Sequence, residues 1–288
     1  MTPQDEIARM TDALELARQM LDRTPDAAAA RPRKRFTIAT LVNNRTHYDE
    51  MLASFGEGGF DRRDCEYLFV DNTGSDQTCA FRGLDRLLAE ATGDYVILCH
   101  QDVRIVDDGR HELESRLAQL DALDPMWAVA GNAGGVAAGR LAIRITDPHG
   151  ANQKVGTLPA KVMSLDENFM VVKRAARLSF SADLTGFHFY GADLCLVADV
   201  LGHTTYVIDF HLEHLSGGFK GASFEAMEAA FCAKWEHALR PRLLQTTCSL
   251  VTLSGDNLAR LIGRVALPSL SRITKRLPGA AGWSRKSA

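Results

Sequence analysis

No apolar run in this chain approaches the ~18 residues that a membrane-spanning helix requires. Positive charge is not in excess either: 33 Lys and Arg stand against 36 Asp and Glu in 288 residues, a formal charge of -3. Nucleic-acid binders normally carry a basic surplus, so no nucleic-acid partner is expected. The six cysteines lie at 65, 79, 99, 195, 232 and 248. They form no Cys-x-x-Cys pair, and several sit inside apolar runs, as reduced, packed thiols do. The first twenty residues carry Asp5, Glu6, Asp12 and Glu15, charges of the wrong sign for a leader peptide. Internal repeats and long low-complexity tracts are absent. What remains is an average soluble composition, 46% hydrophobic and 24% charged, in a chain long enough to bury a sizeable core. A cytoplasmic globular protein is the expectation.

Residues 2–24 read as an exposed helix: Thr2 suits its cap, Pro3 its first turn, and Asp5 and Glu6 the positive end of its dipole. Ile7, Met10, Leu14, Ala17 and Leu21 make an a/d seam, which serves either packing on the chain's own domain or self-association into a homo-oligomer. Residues 25–34 are a linker rich in breakers and charge. Strand-like runs then alternate with helical patterns. Phe36–Val42 is followed by a helix at His47–Phe55, Glu66–Val70 by a helix at Thr78–Ala91, and Tyr95–Cys99 closes the series. This alternation predicts an α/β fold with a mostly parallel sheet flanked by helices. Further on, a strand is expected at 128–135, a loop excursion at 144–160 and a strand at 166–172. A helix near 194–201, a strand at 204–214 and a helix at 223–239 complete the pattern.

In such sheets ligands bind at the carboxyl ends of the strands. The three early runs end there in Asn43-Asn44-Arg45, in Asp71-Asn72-Thr73-Gly74 and in His100-Gln101-Asp102. A carboxylate at that edge can bond a base or ribose, or hold a divalent metal against phosphate oxygens. It can equally cap a turn, as Asp71 would in its Asp-Asn-Thr-Gly setting. Asp193, in Tyr-Gly-Ala-Asp before a helix, is either a general base or an N-cap. If 204–214 is one strand, His211 and His214 face opposite ways and cannot share a site, while Tyr206, Ile208, Phe210 and Leu212 share the face of His214. Either His214 ligates a metal or it is a hydrogen-bonded core residue. His188 sits among aromatics as a packed side chain or an acceptor-side residue, and Trp127 and Trp235 read as core.

The succession IATLVNN, LFVDNTGSD, AFRGLDRLLAEATGDYVILCHQDV, GFHFYGADLCL and VIDFHLEHLSGG resembles the nucleotide-diphospho-sugar glycosyltransferases of the GT-A fold. It is most similar to the bacterial family-2-like branch with His-Gln-Asp in place of Asp-x-Asp, over about residues 36–240. The resemblance implies a Rossmann-like GT-A domain at 34–245, preceded by a helix and linker at 1–33 and followed by a basic segment at 246–288. It implies inverting transfer of a sugar from a nucleotide-diphospho-sugar donor, assisted by Mn or Mg, to a saccharide or lipid-linked acceptor in surface polysaccharide or glycolipid assembly. Carried over residue by residue, it sets Val42 and Asn43 beside the donor base, Asp71 on that base and Arg82 near the donor. His100 and Gln101 fall at the donor, Asp102 and His214 at the metal, and Asp193 in the role of base. Asp166 and Glu167 match a Leu-Asp-Glu stretch that lines the acceptor pocket, or form a strand-end turn. Here Tyr190 and Gly191 stand where the family carries an acid pair, and His100 replaces an Asp.

From residue 256 onward Arg260, Arg264, Arg272, Lys275, Arg276, Arg285 and Lys286 face only Asp256. Beside them runs an apolar stripe, Leu258, Leu261, Ile262 and Val265. Such a segment either lies on a membrane surface or packs on the enzyme with a solvated basic face. Two alternatives stand beside the glycosyltransferase. A nucleotidyltransferase should carry a glycine-rich basic loop after the first strand, and Asn43-Asn44-Arg45-Thr46 is not one. A non-catalytic sugar-nucleotide-binding module is favoured by His100 and the missing acid pair, and disfavoured by the presence of Asp193.

Overall fold

In the computed structural model, residues 34–218, 221–247 and 250–256 are described. The expected helix at 2–24, its linker up to residue 33 and the basic stretch from 257 onward lie outside them. Strands β1 (Phe36–Val42), β2 (Cys65–Asp71) and β3 (Tyr95–Cys99) run parallel, with β1 between the other two. Every residue of β3 is buried. A strand covered on both faces reads as a continuous apolar run, as β1 and β3 do, whereas β2 lies at the sheet edge with Phe69 exposed.

The central sheet also takes in β5 (Trp127–Gly131), β9 (Ala160–Val162), β11 (Phe169–Lys173) and β12 (Thr204–Val207), in the order β2-β1-β3-β11-β5-β12-β9. Strand β11 is antiparallel to both β3 and β5, and β12 is parallel to β5. Thus β1, β2, β3, β5 and β12 share one direction. Helices cover both faces. On one, Tyr48, Met51 and Phe55 of α1 (Arg45–Glu57) and Leu113, Leu117 and Leu120 of α3 (Arg110–Leu123) pack with Phe36, Ile38 and Ile97. On the other, Phe81, Leu84 and Leu87 of α2 (Ala80–Glu90) and Leu194 and Ala198 of α4 (Tyr190–Val200) pack on Ala39, Val96 and Leu98. The expected mostly parallel α/β sheet with flanking helices is what the structure shows.

The second half differs from the sequence reading. The run at 128–135 is two strands, because the chain leaves the central sheet at Asn132 and continues as β6 (Ala133–Ala137) in a second one. The expected loop at 144–160 is largely a hairpin, β7 (Arg140–Asp147) and β8 (Gly150–Val155), turning at Asp147-Pro148-His149-Gly150. Leu141, Ile143 and Ile145 alternate with Ala142, Arg144 and Thr146, the period 2 of a half-exposed strand, and such a strand makes no continuous apolar run. The expected strand at 204–214 breaks after Val207 and resumes as β13 (Leu212–His214) in the second sheet. His211 and His214 are therefore separated by a change of sheet, not by the alternation of one strand. That sheet runs β10-β6-β7-β13-β4, where β10 is Ser164–Leu165 and β4 is Val103–Ile105, with β8 paired to β7. Beyond α5 (Ala222–Leu239) the hairpin β14 (Arg242–Gln245) and β15 (Leu250–Leu253) crosses the boundary expected after residue 245. No helix among the described residues is long and apolar enough to cross a membrane.

Candidate active site

Because β1, β2 and β3 are parallel and adjacent, the polar residues after them share one edge. Asn44 caps α1, its Oδ1 accepting the His47 N–H at 3.3 Å. Gln101 reaches across from the end of β3. Its Oε1 accepts the backbone N–H groups of Asn43 and Asn44, both at 2.9 Å, and its Nε2 donates to Asn43 Oδ1. One side-chain amide thus ties the loop after β1 to the loop after β3.

Asp102 turns the chain into β4, and β4 pairs antiparallel with β13 so that His214 lies opposite Val103. That pairing delivers His214 to the strand edge. Its Nε2 lies 3.2 Å from His100 Nδ1, 3.1 Å from Ser216 Oγ and 3.5 Å from Asp102 Oδ1. On the far side of the ring, His100 Nε2 meets Tyr190 Oη at 2.8 Å, and that hydroxyl donates to the Glu167 carbonyl at 3.3 Å. With its proton so used, Tyr190 accepts from His100 Nε2–H, which leaves Nδ1 as a lone pair aimed at His214. Burial and the facing ring hold the His100 imidazole below its ordinary pKa. Burial would raise Asp102, but hydrogen bonds from His214 and Ser216 hold its carboxyl well below the usual carboxylate range. Ligand atoms of His100, Asp102 and His214 all lie within 4.8 Å of one another. Two imidazoles and a carboxylate around an open side suit Mn or a similar transition ion, and suit Mg, which prefers oxygen, less well.

Two cavities meet here. One of about 290 Å³ lies over the strand ends, against Asn43, Asn72, Gln101 and Asp102. A larger one of about 1000 Å³ is walled by Leu141, Ile143 and Ile145 of β7 and by Phe224 of α5. His100, Glu167, Phe187 and Ser216 line both. Glu167 Oε1 accepts the Gly191 N–H at 3.2 Å, at the start of α4. This approach needs a glycine: a Cβ on Gly191 would stand 2.5 Å from the Leu165 carbonyl oxygen and 3.1 Å from Glu167 Cγ. The residue before α4, Phe189, is held at φ 66°, a left-handed backbone that turns the helix start toward Glu167.

The sequence-derived candidates divide. Asn43, His100, Gln101, Asp102 and His214 come together. Val42 is fully buried in the core at the end of β1. Asp71 is exposed and closes a turn, its Oδ1 accepting the Thr73 N–H at 3.0 Å and the Thr73 hydroxyl at 2.6 Å. These bonds lower its pKa, and Arg45 sits 3.8 Å away. Arg82 is exposed on α2 and lines neither cavity. Asp193 lies apart from them. Its side chain is fully buried; Oδ2 accepts the Ser181 N–H at 2.9 Å, and Oδ1 accepts the Ser181 hydroxyl at 2.7 Å and Trp235 Nε1–H at 3.0 Å. It lines neither cavity, and it stands a turn inside α4, so it is not the N-cap either. His211 is structural, with Nδ1 2.8 Å from Asp107 and Nε2 2.9 Å from Thr146. His188 lines the larger cavity, its ring 5.3 Å from that of Phe224. Trp127 is core as expected. Asp166 and Glu167 form the turn between β10 and β11, and both line the larger cavity. Sequence reasoning missed Asn72, Tyr190 and Ser216. Their signal lay in neighbourhood alone, directly beside or two residues from a candidate.

A relative 35% identical over 226 residues, 76% of this chain and 91% of its own length, is ATP synthase subunits region ORF 6 of Fuscovulum blasticum. The chain belongs to the ORF 6 family. No family model matches the sequence. Among solved structures it resembles the mannosyltransferase PcManGT of Pyrobaculum calidifontis, in complex with GDP-Man and Mn2+. There the TM-score is 0.49 at 15% identity, over 88% of this chain and 77% of that one. It also resembles S. aureus TarS in complex with UDP-GlcNAc, with TM-score 0.49 at 12% identity, over 70% of this chain and 66% of that one.

Proposed function

We propose that this ORF 6 relative is a glycosyltransferase that takes a sugar from a nucleotide-diphospho-sugar and passes it to a saccharide or lipid-linked acceptor. The observation that carries this reading is the convergence of His100, Asp102 and His214 at the carboxyl edge of the parallel strands, beside a cavity floored by the Asn43–Gln101 clamp. In this reading the nucleotide lies in the smaller cavity over Asn43, whose side-chain N–H2 can donate to a base or ribose, while Asn72, buried and bonded to Thr78, holds the shape of the loop after β2. Its diphosphate reaches toward His100, Asp102 and His214. These three would hold a divalent cation, which when bound offsets charge on the departing nucleotide. Tyr190 orients the His100 ring, and Gln101 keeps the loop after β1 in place. The two cavities meet at His100 and Glu167, so donor and acceptor can approach from separate sides.

The basic segment from residue 256 would keep the enzyme near a lipid-borne acceptor, and the seam at 2–24 would serve self-association. A non-catalytic sugar-nucleotide-binding module is the second reading, favoured by the sequestration of Asp193. A thermal-shift screen of UDP-GlcNAc, UDP-glucose, UDP-galactose and GDP-mannose, with and without Mn, tests binding, since a ligand of the folded state raises apparent stability by mass action. Stabilisation by at least one of them that depends on Mn is expected. Stabilisation by none removes both readings, whereas binding without nucleotide release leaves the module.

A further inference from the structure

Asp193, locked to Ser181 and Trp235, lines neither cavity and does not reach a hydroxyl entering through them. The seam between the cavities holds a different carboxylate. Glu167 is half-buried, lines both spaces and is fixed from behind by the first amides of α4, with Oε1 on Gly191 N–H at 3.2 Å. Resting on the function proposed above, we infer that Glu167 is the general base of the transfer, receiving the proton of an acceptor hydroxyl that enters through the larger cavity.

The step balances simply. The acceptor oxygen forms a bond to the anomeric carbon as its proton passes to a Glu167 carboxylate oxygen. The bond from that carbon to the donor phosphate breaks, and its electron pair stays on the nucleotide. Glu167 then returns the proton to solvent. Its surroundings suit the task. Burial pushes the Glu167 carboxyl up to about 8, with the Gly191 amide opposing and the neighbouring Asp166 charge adding to the rise. A base is most effective when its pKa lies near the working pH. The larger cavity also says something of the acceptor. Leu141, Ile143 and Ile145 present one apolar wall while Asp147, His149 and Gln153 supply polar groups. That lining fits a hydroxyl-bearing sugar joined to an alkyl or aryl group better than a free, fully hydrated saccharide.

The test uses the full chain and Glu167→Gln, which keeps an oxygen for the Gly191 amide and cannot take a proton. Each protein is given Mn and the four sugar nucleotides named above, with octyl β-glucoside or glucose as acceptor, and released UDP or GDP is measured across pH 6–9.5. Wild type should release nucleotide, faster with octyl β-glucoside than with glucose, and with a rate that climbs toward about pH 8. The variant should bind the same nucleotide with the same Mn-dependent thermal shift, release it ~10²–10⁴-fold more slowly and lose the climb with pH. A helix-capping role alone would move the melting temperature and leave the pH profile of the residual rate unchanged. Release by the variant within a few-fold of wild type overturns the assignment, as does a wild type that binds donor but passes it to neither acceptor. Failure of all four nucleotides to stabilise the wild type removes the proposed function, and this inference with it.

Discussion

His100 Nδ1 and His214 Nε2 face each other at 3.2 Å although 114 residues separate them in sequence. One ring follows the central strand β3 and the other ends β13 of the second sheet. The Tyr190 hydroxyl beyond His100 decides which nitrogen carries the proton, so the pair presents a lone pair to the space that Asp102 also faces.

Cation binding should therefore depend on Tyr190 as well as on the ligands. Tyr190→Phe removes one buried hydroxyl and should weaken Mn affinity ~10–100-fold, as loss of an outer partner of a ligating histidine does. His214→Ala should abolish measurable Mn binding. Calorimetric titration of Mn into the nucleotide-free protein checks both, and equal affinity in wild type and His214→Ala would remove the His100–Asp102–His214 assignment.

Asp193 should behave as a structural residue. Asp193→Asn sets an amide N–H2 against one of the buried donors of Ser181 or Trp235, and should cost about 1–3 kcal/mol of stability. Asp193→Ala leaves several buried donors unpaired and should cost more. Chemical denaturation gives the difference. Sugar-nucleotide affinity, measured on the fraction that remains folded, should stay within a few-fold of wild type.

Gln101→Ala should leave stability nearly unchanged, because its bonds lie on the exposed strand edge, but it frees the Asn43 and Asn44 amides that shape the smaller cavity. Loss of such a positioning bond, worth about 0.5–1.5 kcal/mol, corresponds to a drop of roughly 2–12-fold in donor affinity. Gln101→Glu retains the acceptor for both amides but loses the donor to Asn43 Oδ1, so it should recover only part of it. Isothermal titration with the sugar nucleotide found in the screen separates the three proteins.

Glu167 should also mark stability against pH. Its folded-state pKa of about 8 exceeds the ordinary 4.5, so between those values the folded chain holds a proton that the unfolded chain has released. Stability contributed at this position is intact below about pH 4.5 and declines as pH rises toward about 8. Glu167→Gln has no proton to lose, so its melting temperature relative to wild type should climb from pH 5 to pH 8.5. A difference that stays constant across that range would show that the Glu167 carboxyl titrates normally.

The early half of the fold was legible because its inner strands β1 and β3 are short and covered on both sides, and because helices separate the strands. Phe36–Val42 and Tyr95–Cys99 carry that burial directly in their composition. The edge residues Asn43, His100, Gln101 and Asp102 followed from the same logic, since polar residues after buried parallel strands gather at one edge. The later half was not legible to the same degree. A half-exposed hairpin such as β7–β8 alternates with period 2, and a strand that changes sheets, as at Asn132 or after Val207, leaves no mark in a run of apolar residues.

By itself the sequence determined the parallel core, the edge where its polar side chains gather and the residue types available there. Only tertiary structure decided which carboxylate faces the cavities. Asp193 and Glu167 are equally suited by chemistry to accept a proton, and sequence favoured the first. Packing of α5 brings Trp235 onto Asp193 and seals it in the core, while the turn between β10 and β11 brings Glu167 to the start of α4 at the seam of the two cavities. That choice depends on contacts between elements 24 to 42 residues apart, and local propensity contains no information about such contacts.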